Sequence, residues 1–349
     1  MIKLGASDAE IVRAAAILKD GGLVAFPTET VYGLGADAFN ARALARVFEV
    51  KNRPRFDPLI IHIASLDSLE KIACLDSFDS QQKEQLRLLV DSFWPGPLTI
   101  VLPKREEVPD LATAGLPTAA IRFPSNPIAR QLIALSTGAV AAPSANPFGR
   151  LSPSRAEHVI ETLGDSIDCI IDGGPCSVGV ESTVLELVPK PRILRPGGIS
   201  REQIEAVIGP VTNSVDSICD HSKTEERFAS PGMLQSHYAP IVSLFLHSTE
   251  TMAMLPYHKN EGYLFFSGKN RDDWISRTRT GHMPDTCRTD NILTLSENGN
   301  TAEAAVNLFD YLHILDRSGL SCIHAETLPE EGIGAAINDR LRRASMKSV

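Results

Sequence analysis

The sequence predicts an α/β protein with two domains. A chain of 349 residues is long enough for two ordinary cores. Near its start, apolar runs at residues 23–26 and 59–63 flank an amphipathic stretch at 41–50. This order is typical of a strand, a helix and a strand in a βαβ-like crossover, whose loops at the strand ends hold ligands. Further strands and helices alternate along the rest of the chain.

The composition is that of a soluble globular protein, with 43% apolar and 22% charged residues. A formal net charge of −9 argues against a protein that binds nucleic acid through bulk positive charge, although it leaves room for a local basic cleft. No signal-peptide core and no run long enough to span a membrane is present, so we expect a cytoplasmic protein. The six cysteines contain no C-x-x-C pair. Their spacing predicts free thiols, with neither a disulfide frame nor a metal site.

The predicted domains are 1–207 and 241–349, with a connection at 208–240. Ser7 to Glu10 forms a capping box that begins the first helix. The connection contains Pro231 and Pro240 in a polar stretch, which is typical of an interdomain linker. After it, short strands are predicted at 241–246, 263–266, 292–295 and 322–325, with helices at 301–315 and 334–345. We find no catalytic constellation in this last part of the sequence.

A pair of cations follows the helix at 41–50. Lys51 and Arg53 are two residues apart in a loop that Pro54 and Pro58 stiffen. Residues two apart in extended chain point the same way, so the pair forms a fork suited to phosphate oxygens. A solvated basic loop is the alternative interpretation.

A second polar pair follows the apolar run at 138–142. Ser144 and Asn146 again stand two apart at the end of a predicted strand. A hydroxyl and an amide opposite the Lys51 and Arg53 fork can hold a nucleotide phosphate chain without a P-loop.

The segment from Gly33 to Ala38 formally matches a dinucleotide fingerprint, but we reject that interpretation. A Rossmann glycine follows its strand at once, whereas here residues 27–32 intervene. Hydride transfer is disfavoured for the same reason. We expect these glycines to form tight turns close to a ligand.

Two more polar residues lie inside predicted strands. Arg122 alternates away from its apolar neighbours, so it must face solvent, a buried acid or an anionic ligand such as a substrate carboxylate. His62 is equally compatible with a core histidine and with a pocket residue. Further on, Ser152 is predicted to cap a helix that Pro153 opens.

The motifs together resemble the two-domain form of the YrdC-like threonylcarbamoyl-AMP synthases. The resemblance rests on PTETVYGLG, K-x-R, S-x-N, FWPGPLT, GVEST, LRPGG, SPGMLQSHYAP and IGAAINDRLRRAS. It implies a twisted mixed α/β sheet with helices and a large central cavity, and a small C-terminal Rossmann-like α/β domain. It also implies condensation of L-threonine, bicarbonate and ATP to threonylcarbamoyl-AMP with release of pyrophosphate. The product serves tRNA modification next to the anticodon.

The resemblance assigns roles residue by residue. It implies that the catalytic set is Lys51, Arg53, Ser144 and Asn146. The ATP-binding set would be Arg53, Asp57, Thr118, Ser144, Ser152, Arg195, His237 and Tyr238. The threonine-binding set would be Thr30, His62, Arg122 and Ser182. The family more usually has Asn at position 57, so Asp57 would instead contact a ribose hydroxyl or help to hold the Mg²⁺ that accompanies ATP.

The resemblance also implies partners. The product would pass to a tRNA threonylcarbamoyl transferase complex, without a need for direct tRNA binding. We further expect SPGMLQSHYAP to fold back over the cavity mouth and exclude water, anchored by the C-terminal domain. The competing class is a double-stranded-RNA-binding or ribosome-maturation factor, which a strongly salt-dependent affinity for RNA would favour.

Overall fold

The computed structural model describes residues 1–213, 238–279 and 290–346. Its contacts divide the chain into two compact units. The first contains Met1–Phe148, Pro153–Ser177 and Glu181–Met233, and the second contains Gly149–Ser152, Val178–Val180 and Leu234–Val349. Among the helices in the described ranges, none has both the length and the apolar character needed to cross a membrane.

The first unit alternates short strands with helices. Its elements are β1 (Ile2–Leu4), α1 (Asp8–Lys19), β2 (Val24–Phe26), β3 (Gly33–Asp37), α2 (Ala41–Lys51), β4 (Ile60–Ile63), α3 (Ser80–Phe93), β5 (Leu98–Pro103), α4 (Asp110–Thr113), β6 (Thr118–Arg122), α5 (Pro127–Leu135), β7 (Ala139–Ala141), α6 (Ala156–Leu163), β8 (Cys169–Ile171), β9 (Thr183–Glu186), β10 (Arg192–Arg195), α7 (Arg201–Ile208) and β11 (Thr212–Asn213). The predicted capping box at Ser7 and Glu10 begins α1, and β9 and β10 form an antiparallel hairpin.

Within residues 1–213, these strands form one mixed sheet of eleven strands. Their order is β1-β8-β2-β3-β7-β4-β6-β5-β9-β10-β11. Helices cover the sheet because its strands are apolar on both faces, and the largest core cluster includes Leu34, Ile61, Ile100 and Ile121. The predicted mixed α/β sheet is therefore confirmed.

One correction concerns the glycines of the first motif. Gly33 and Gly35 lie in β3 and not in a loop. A Cβ atom at Gly35 would lie 2.7 Å from Phe26 Cε1 and 2.8 Å from Val140 Cγ1. Glycine is therefore required for close packing of β3 against its neighbours and not for a turn.

The crossover predicted between the strands at 23–26 and 59–63 also differs from the one that the structure has. β2 pairs antiparallel with β3, β3 with β7, and β7 with β4, so β2 and β4 run in opposite directions. The parallel crossover is instead β3-α2-β4, with β7 between the two strands. The prediction missed β3 because its glycines resemble a turn signal.

Two local predictions near the site were wrong. Lys51 is the last residue of α2 and not part of a loop, because the helix continues until Asn52 takes the left-handed conformation. Ser152 and Pro153 do not begin a helix, since α6 starts at Ala156. The carbonyl of Pro153 instead accepts a hydrogen bond from the Tyr32 N–H at 2.8 Å, which keeps this segment extended.

The second unit contains a parallel sheet. Its elements are β12 (Ser243–His247), α8 (Thr249–Met252), β13 (Glu261–Ser267), α9 (Gly268–Arg279), β14 (Ile292–Ser296), α10 (Thr301–Arg317), β15 (Cys322–Glu326) and α11 (Gly334–Ser345). The strand order is β12-β15-β13-β14, and every pair is parallel. The small C-terminal α/β domain is confirmed, and its predicted terminal helix matches α11. His237 and most of the SPGMLQSHYAP segment lie outside the described residues.

Candidate active site

Three buried cations surround a buried acid in the first unit. Lys51, Arg53 and Arg195 all act electrostatically on Asp57, and we call these four residues the cation cluster. They come from the end of α2, the loop after it and the end of β10. Burial raises the pKa of the Asp57 carboxyl, while the three cations oppose that rise. The cluster carries a net positive charge in a region of low dielectric, where it interacts strongly with anions.

Lys51 links the cluster to the Ser144 and Asn146 loop. Its Nζ donates to the Ser144 carbonyl at 2.6 Å and to the Asn146 carbonyl. Burial lowers the pKa of the Lys51 ammonium well below its ordinary value, and Arg53 lowers it further. The two predicted polar pairs are therefore neighbours, although the lysine contacts the carbonyls of the S-x-N loop.

Arg53 is held on several sides. Its Nη2 lies 2.9 Å from Asp57 Oδ2 and donates to the Pro58 carbonyl at 2.7 Å. Its guanidinium lies over the Phe148 ring at 5.8 Å from the centroid. Because the plane and direction of the guanidinium are fixed, Arg53 is preorganised to present its charge to an anion.

Arg195 connects the cation cluster to a second polar region. Its Nε and Nη2 donate to the Ser182 carbonyl at 3.2 and 2.9 Å, and Nη2 also lies 3.2 Å from Ser182 Oγ. Ser182 Oγ in turn lies 2.7 Å from Thr99 Oγ1. Thr99 stands opposite Arg122 in the antiparallel pair of β5 and β6. Side chains of directly opposed residues share one face of a sheet.

Arg122 forms a buried ion pair. Its Nη2 lies 2.7 Å from Glu29 Oε1, and its Nη1 donates to Thr30 Oγ1 at 2.9 Å. Burial opposes ionisation of Glu29, but Arg122 and backbone hydrogen bonds outweigh it and hold the pKa of Glu29 below its ordinary value. Of the three environments that the sequence allowed for Arg122, the structure has the buried acid. We call Glu29, Thr30, Arg122 and His62 the arginine cluster.

His62 lies beside Arg122. The two residues are partners in the parallel pair of β4 and β6. Burial lowers the pKa of His62 to about 3, with Arg122 contributing, so the imidazole is neutral at pH 7. Its Nδ1 lies 3.2 Å from the Ile60 carbonyl and its ring meets Phe26 edge-on. It is a buried histidine beside Arg122, and its role as a pocket residue stays a prediction.

Three further predicted site residues lie within the described ranges. Thr118 begins β6 and is half-buried. Ser152 is grouped with the second unit, where its carbonyl and His313 Nε2 are 3.2 Å apart. Tyr238 is also in the second unit, where its buried ring lies 5.8 Å from the Phe309 ring and 5.3 Å from the Arg340 guanidinium.

Sequence reasoning missed two members of the site. Glu29 pairs with Arg122, and Thr99 joins Ser182 to the Arg122 face. A signal for Glu29 was present, because it stands beside Thr30 in PTETVYGLG and an arginine inside an apolar strand needs a buried partner. Thr99 offers no such signal, since a threonine in a strand is ordinary.

The fold and the two buried clusters define an α/β protein that carries buried, positively charged side chains within a mixed sheet. Residues 16–197 match the sequence family described as Telomere recombination, and residues 199–346 match the threonylcarbamoyl-AMP synthase C-terminal domain. The chain therefore belongs to the threonylcarbamoyl-AMP synthase family.

Relatives match over almost the whole chain. The threonylcarbamoyl-AMP synthase of Pyrococcus abyssi is 42% identical, over 95% of this chain and 93% of that protein. The Bacillus subtilis protein of the same name is 40% identical, over 98% of this chain and 95% of its own length. The crystal structure of P. abyssi Sua5 complexed with L-threonine matches with a TM-score of 0.82 and 39% identity, covering 99% of this chain and 97% of that one.

Proposed function

We propose that this protein condenses L-threonine, bicarbonate and ATP to threonylcarbamoyl-AMP and pyrophosphate. The observation that carries the proposal is that Arg195 contacts Ser182, Ser182 contacts Thr99, and Thr99 stands opposite Arg122 in the sheet, so the two buried clusters are neighbours. One cluster suits a polyphosphate and the other suits an amino-acid carboxylate. A reaction that joins an amino-acid derivative to a nucleotide needs both sites side by side.

On the ATP side, the cation cluster neutralises phosphate charge. We propose that Lys51 and Arg53 contact phosphate oxygens, with the Ser144 and Asn146 loop positioning the chain opposite them. The further ATP-side residues of this proposal are Asp57, Thr118, Ser152, Arg195, His237 and Tyr238. Because the cations are already ordered by their protein contacts, little reorganisation is needed when ATP binds.

On the threonine side, Arg122 is the proposed carboxylate anchor. Thr30, His62 and Ser182 complete the proposed set. Glu29 keeps the guanidinium charged and oriented before threonine binds, and it offers an acceptor to the substrate amino group or hydroxyl. The neutral His62 adds no competing charge. The L-threonine complex of the P. abyssi relative supports an amino-acid site in this fold.

The proposed chemistry needs no protein nucleophile. The threonine amine condenses with bicarbonate with loss of water to give N-carboxythreonine. An oxygen of its N-carboxylate group attacks the α-phosphorus, the bond from that phosphorus to the bridging oxygen of the β-phosphate breaks, and pyrophosphate leaves with the electron pair. The reaction class is nucleotidyl transfer. This step requires cations that stabilise the developing charge. It also requires a site that excludes water, because N-carboxythreonine and the mixed anhydride are both labile in water.

We propose that Mg²⁺ enters with ATP, bound to phosphate oxygens. Asp57 does not fit a dedicated magnesium ligand, because its Oδ2 is paired with Arg53 at 2.9 Å and three basic side chains already surround its carboxyl. The proposed fate of the product is transfer to a tRNA threonylcarbamoyl transferase complex, and the proposed location of the reaction is the cytoplasm.

The segment at 230–240 is proposed to exclude water during synthesis. Its first eight residues lie outside the described ranges. Substitutions at Tyr238 distinguish contact with ATP from packing as the role of the described end of the segment. Tyr238→Phe keeps the ring that packs near Phe309 and removes the hydroxyl. A loss of synthesis in Tyr238→Phe would favour contact with ATP, whereas a loss confined to Tyr238→Ala would favour packing.

The alternative RNA-binding function receives less support. The cations of the two clusters are buried, with Lys51 only 1% exposed and Arg122 3% exposed. A rigid duplex cannot reach side chains that lie below the surface, whereas a single nucleotide is small enough to do so, and neutralisation of duplex phosphates is the main source of RNA affinity in such proteins.

The test of the proposed function is the release of pyrophosphate from ATP. It is measured in the complete reaction mixture, and again with threonine or with bicarbonate omitted. We expect turnover only in the complete mixture. Equal turnover without threonine would identify a simple ATPase, and tight RNA binding with a steep salt dependence would favour the alternative.

A further inference from the structure

A cluster of potential metal ligands lies in the second unit, outside the proposed active site. Glu261 is the first residue of β13, and Cys322 and His324 are the first and third residues of β15. The two strands are parallel neighbours, with Glu261 opposite Cys322. Residues two apart on a strand share a face, so Cys322 and His324 point the same way beside Glu261.

The distances between the three donor atoms fit a small metal ion. His324 Nε2 lies 3.2 Å from Glu261 Oε2 and 3.5 Å from Cys322 Sγ, and all three atoms lie within 4.8 Å of one another. Tetrahedral zinc, with bonds of about 2.0–2.1 Å to nitrogen or oxygen and about 2.3 Å to sulfur, separates its nitrogen and oxygen ligands by about 3.3 Å. The same geometry separates nitrogen and sulfur ligands by about 3.5 Å.

Neighbouring side chains orient the potential ligands. His324 Nδ1 lies 2.9 Å from His247 Nε2, which leaves Nε2 of His324 directed at Glu261 and Cys322. The Tyr263 hydroxyl lies 3.2 Å from Glu261 Oε2. Hydrogen-bonded partners of this kind fix the ring orientation of ligating histidines and hold ligating carboxylates in place.

We propose that Glu261, Cys322 and His324 bind a zinc ion that ties the start of β13 to the start of β15. A thiolate, an imidazole and a carboxylate form a donor set that zinc accepts and that magnesium and calcium do not. Three protein ligands leave the fourth position to water. His324 and Glu261 have side-chain exposures of 14% and 25%, so an ion reaches the cluster from solvent.

Cobalt titration of the tag-free, chelator-stripped full-length protein tests the site. Co²⁺ replaces zinc in tetrahedral sites and reports a bound thiolate by a near-ultraviolet charge-transfer band. We expect one Co²⁺ per chain, that band, displacement by Zn²⁺, and a rise in Tm on metal addition. An absence of binding at micromolar metal, or a cobalt spectrum without the thiolate band, would leave only a hydrogen-bonded contact between Glu261 and His324 and would overturn the proposal.

Variants locate the ion. Cys322→Ser is expected to abolish the charge-transfer band and to weaken binding at least tenfold, and Glu261→Gln to weaken binding with the band retained. The matched control is Cys74→Ser, since Cys74 is also a partly exposed free thiol but belongs to the first unit. A band that survives Cys322→Ser, or that disappears in Cys74→Ser, would place the thiolate elsewhere and overturn the assignment. Should Cys322→Ser fail to fold, the wild-type spectrum and the Glu261→Gln variant still decide whether the ion binds at this cluster.

Discussion

The Arg122 guanidinium and the Glu29 carboxylate form a 2.7 Å ion pair whose side chains are only 4% and 5% exposed. Each charge would be costly in the interior without the other. Glu29 therefore keeps Arg122 charged and oriented inside the sheet, in the place where an incoming carboxylate would meet it.

Glu29→Gln is expected to destabilise the protein strongly, because it leaves the guanidinium buried without a counter-charge. Breaking one side of a buried pair typically costs about 3–5 kcal/mol. Urea unfolding followed by fluorescence or circular dichroism measures the change in the free energy of unfolding.

The matched control is Glu84→Gln. It breaks a pair with Arg87 of the same 2.7 Å length, but those side chains are 54% and 56% exposed. An exposed pair contributes about 0–1 kcal/mol. Equal losses in the two variants would show that the Arg122 charge does not depend on Glu29.

The same pair predicts an acid dependence of stability. The pKa of Glu29 is below its ordinary value of 4.5 in the folded protein. Its contribution is therefore complete above that ordinary value and is lost as the pH falls through the lower, folded value. We expect the difference in Tm between wild type and Glu29→Gln to be constant near neutral pH and to shrink below about pH 4. A difference that grows on acidification would contradict the assignment.

How far the sequence predicts the site depends on the range of each interaction. It predicts that Arg122 needs a partner, but Glu29 lies far away in sequence and only the sheet brings them together. It predicts the proximity of Lys51 to the Ser144 loop, but the prediction ended the helix too early, although Asn52 is a residue type that commonly ends a helix in the left-handed conformation. The sequence does not reveal the proposed metal site, because only the pairing of β13 with β15 brings Glu261 beside Cys322 and His324.

Arg53→Ala is expected to impair ATP use far more than threonine binding. A charge-assisted contact is worth about 1.5–3 kcal/mol, so kcat/KM for ATP should fall roughly ten- to over a hundredfold. Arg53→Lys should restore only part of the activity, since an ammonium cannot reproduce a planar, bidentate contact. Steady-state pyrophosphate release measures each variant.

A second variant separates this effect from a loss of folding. Arg53→Ala leaves the buried Asp57 without its 2.9 Å partner, whereas Arg53→Ala combined with Asp57→Asn removes both charges. We expect the double variant to recover stability but not activity. Full activity in either variant would refute a phosphate contact by Arg53.

The lowered pKa of Lys51 predicts that the protein takes up a proton when a nucleotide binds. Its ammonium pKa is held well below its ordinary value by burial and by Arg53. Nearby phosphate charge raises that pKa again, so between the free and bound values the protein takes up a proton when ATP binds. Titration calorimetry with a non-hydrolysable ATP analogue, in buffers of different ionisation enthalpy, counts the protons.

The uptake should vanish in Lys51→Met and persist in Lys104→Met. Lys104 is a suitable control because its Nζ also donates to a backbone carbonyl, that of Val108 at 3.1 Å, but it is not part of the cation cluster. Proton release, or uptake unchanged by Lys51→Met, would place the titrating group elsewhere.

Gly197→Ala should displace the acceptor that holds Arg195. A Cβ atom at Gly197 would overlap the backbone of Glu181, Ser182 and Thr183, and the carbonyl of Ser182 accepts from the Arg195 guanidinium. Overpacking of this kind costs about 1–3 kcal/mol. Because Arg195 would move with its acceptor, we also expect the KM for ATP to rise.

Gly209→Ala distinguishes this steric effect from the general cost of replacing a glycine. Gly209 has a φ of +81° with no atom within 4 Å of the added Cβ, so its replacement strains the backbone without a clash. That variant should lose about 1 kcal/mol of stability and keep the wild-type KM for ATP. If Gly197→Ala lowered stability and left the KM for ATP unchanged, the Ser182 contact would support the fold without positioning Arg195 for the nucleotide.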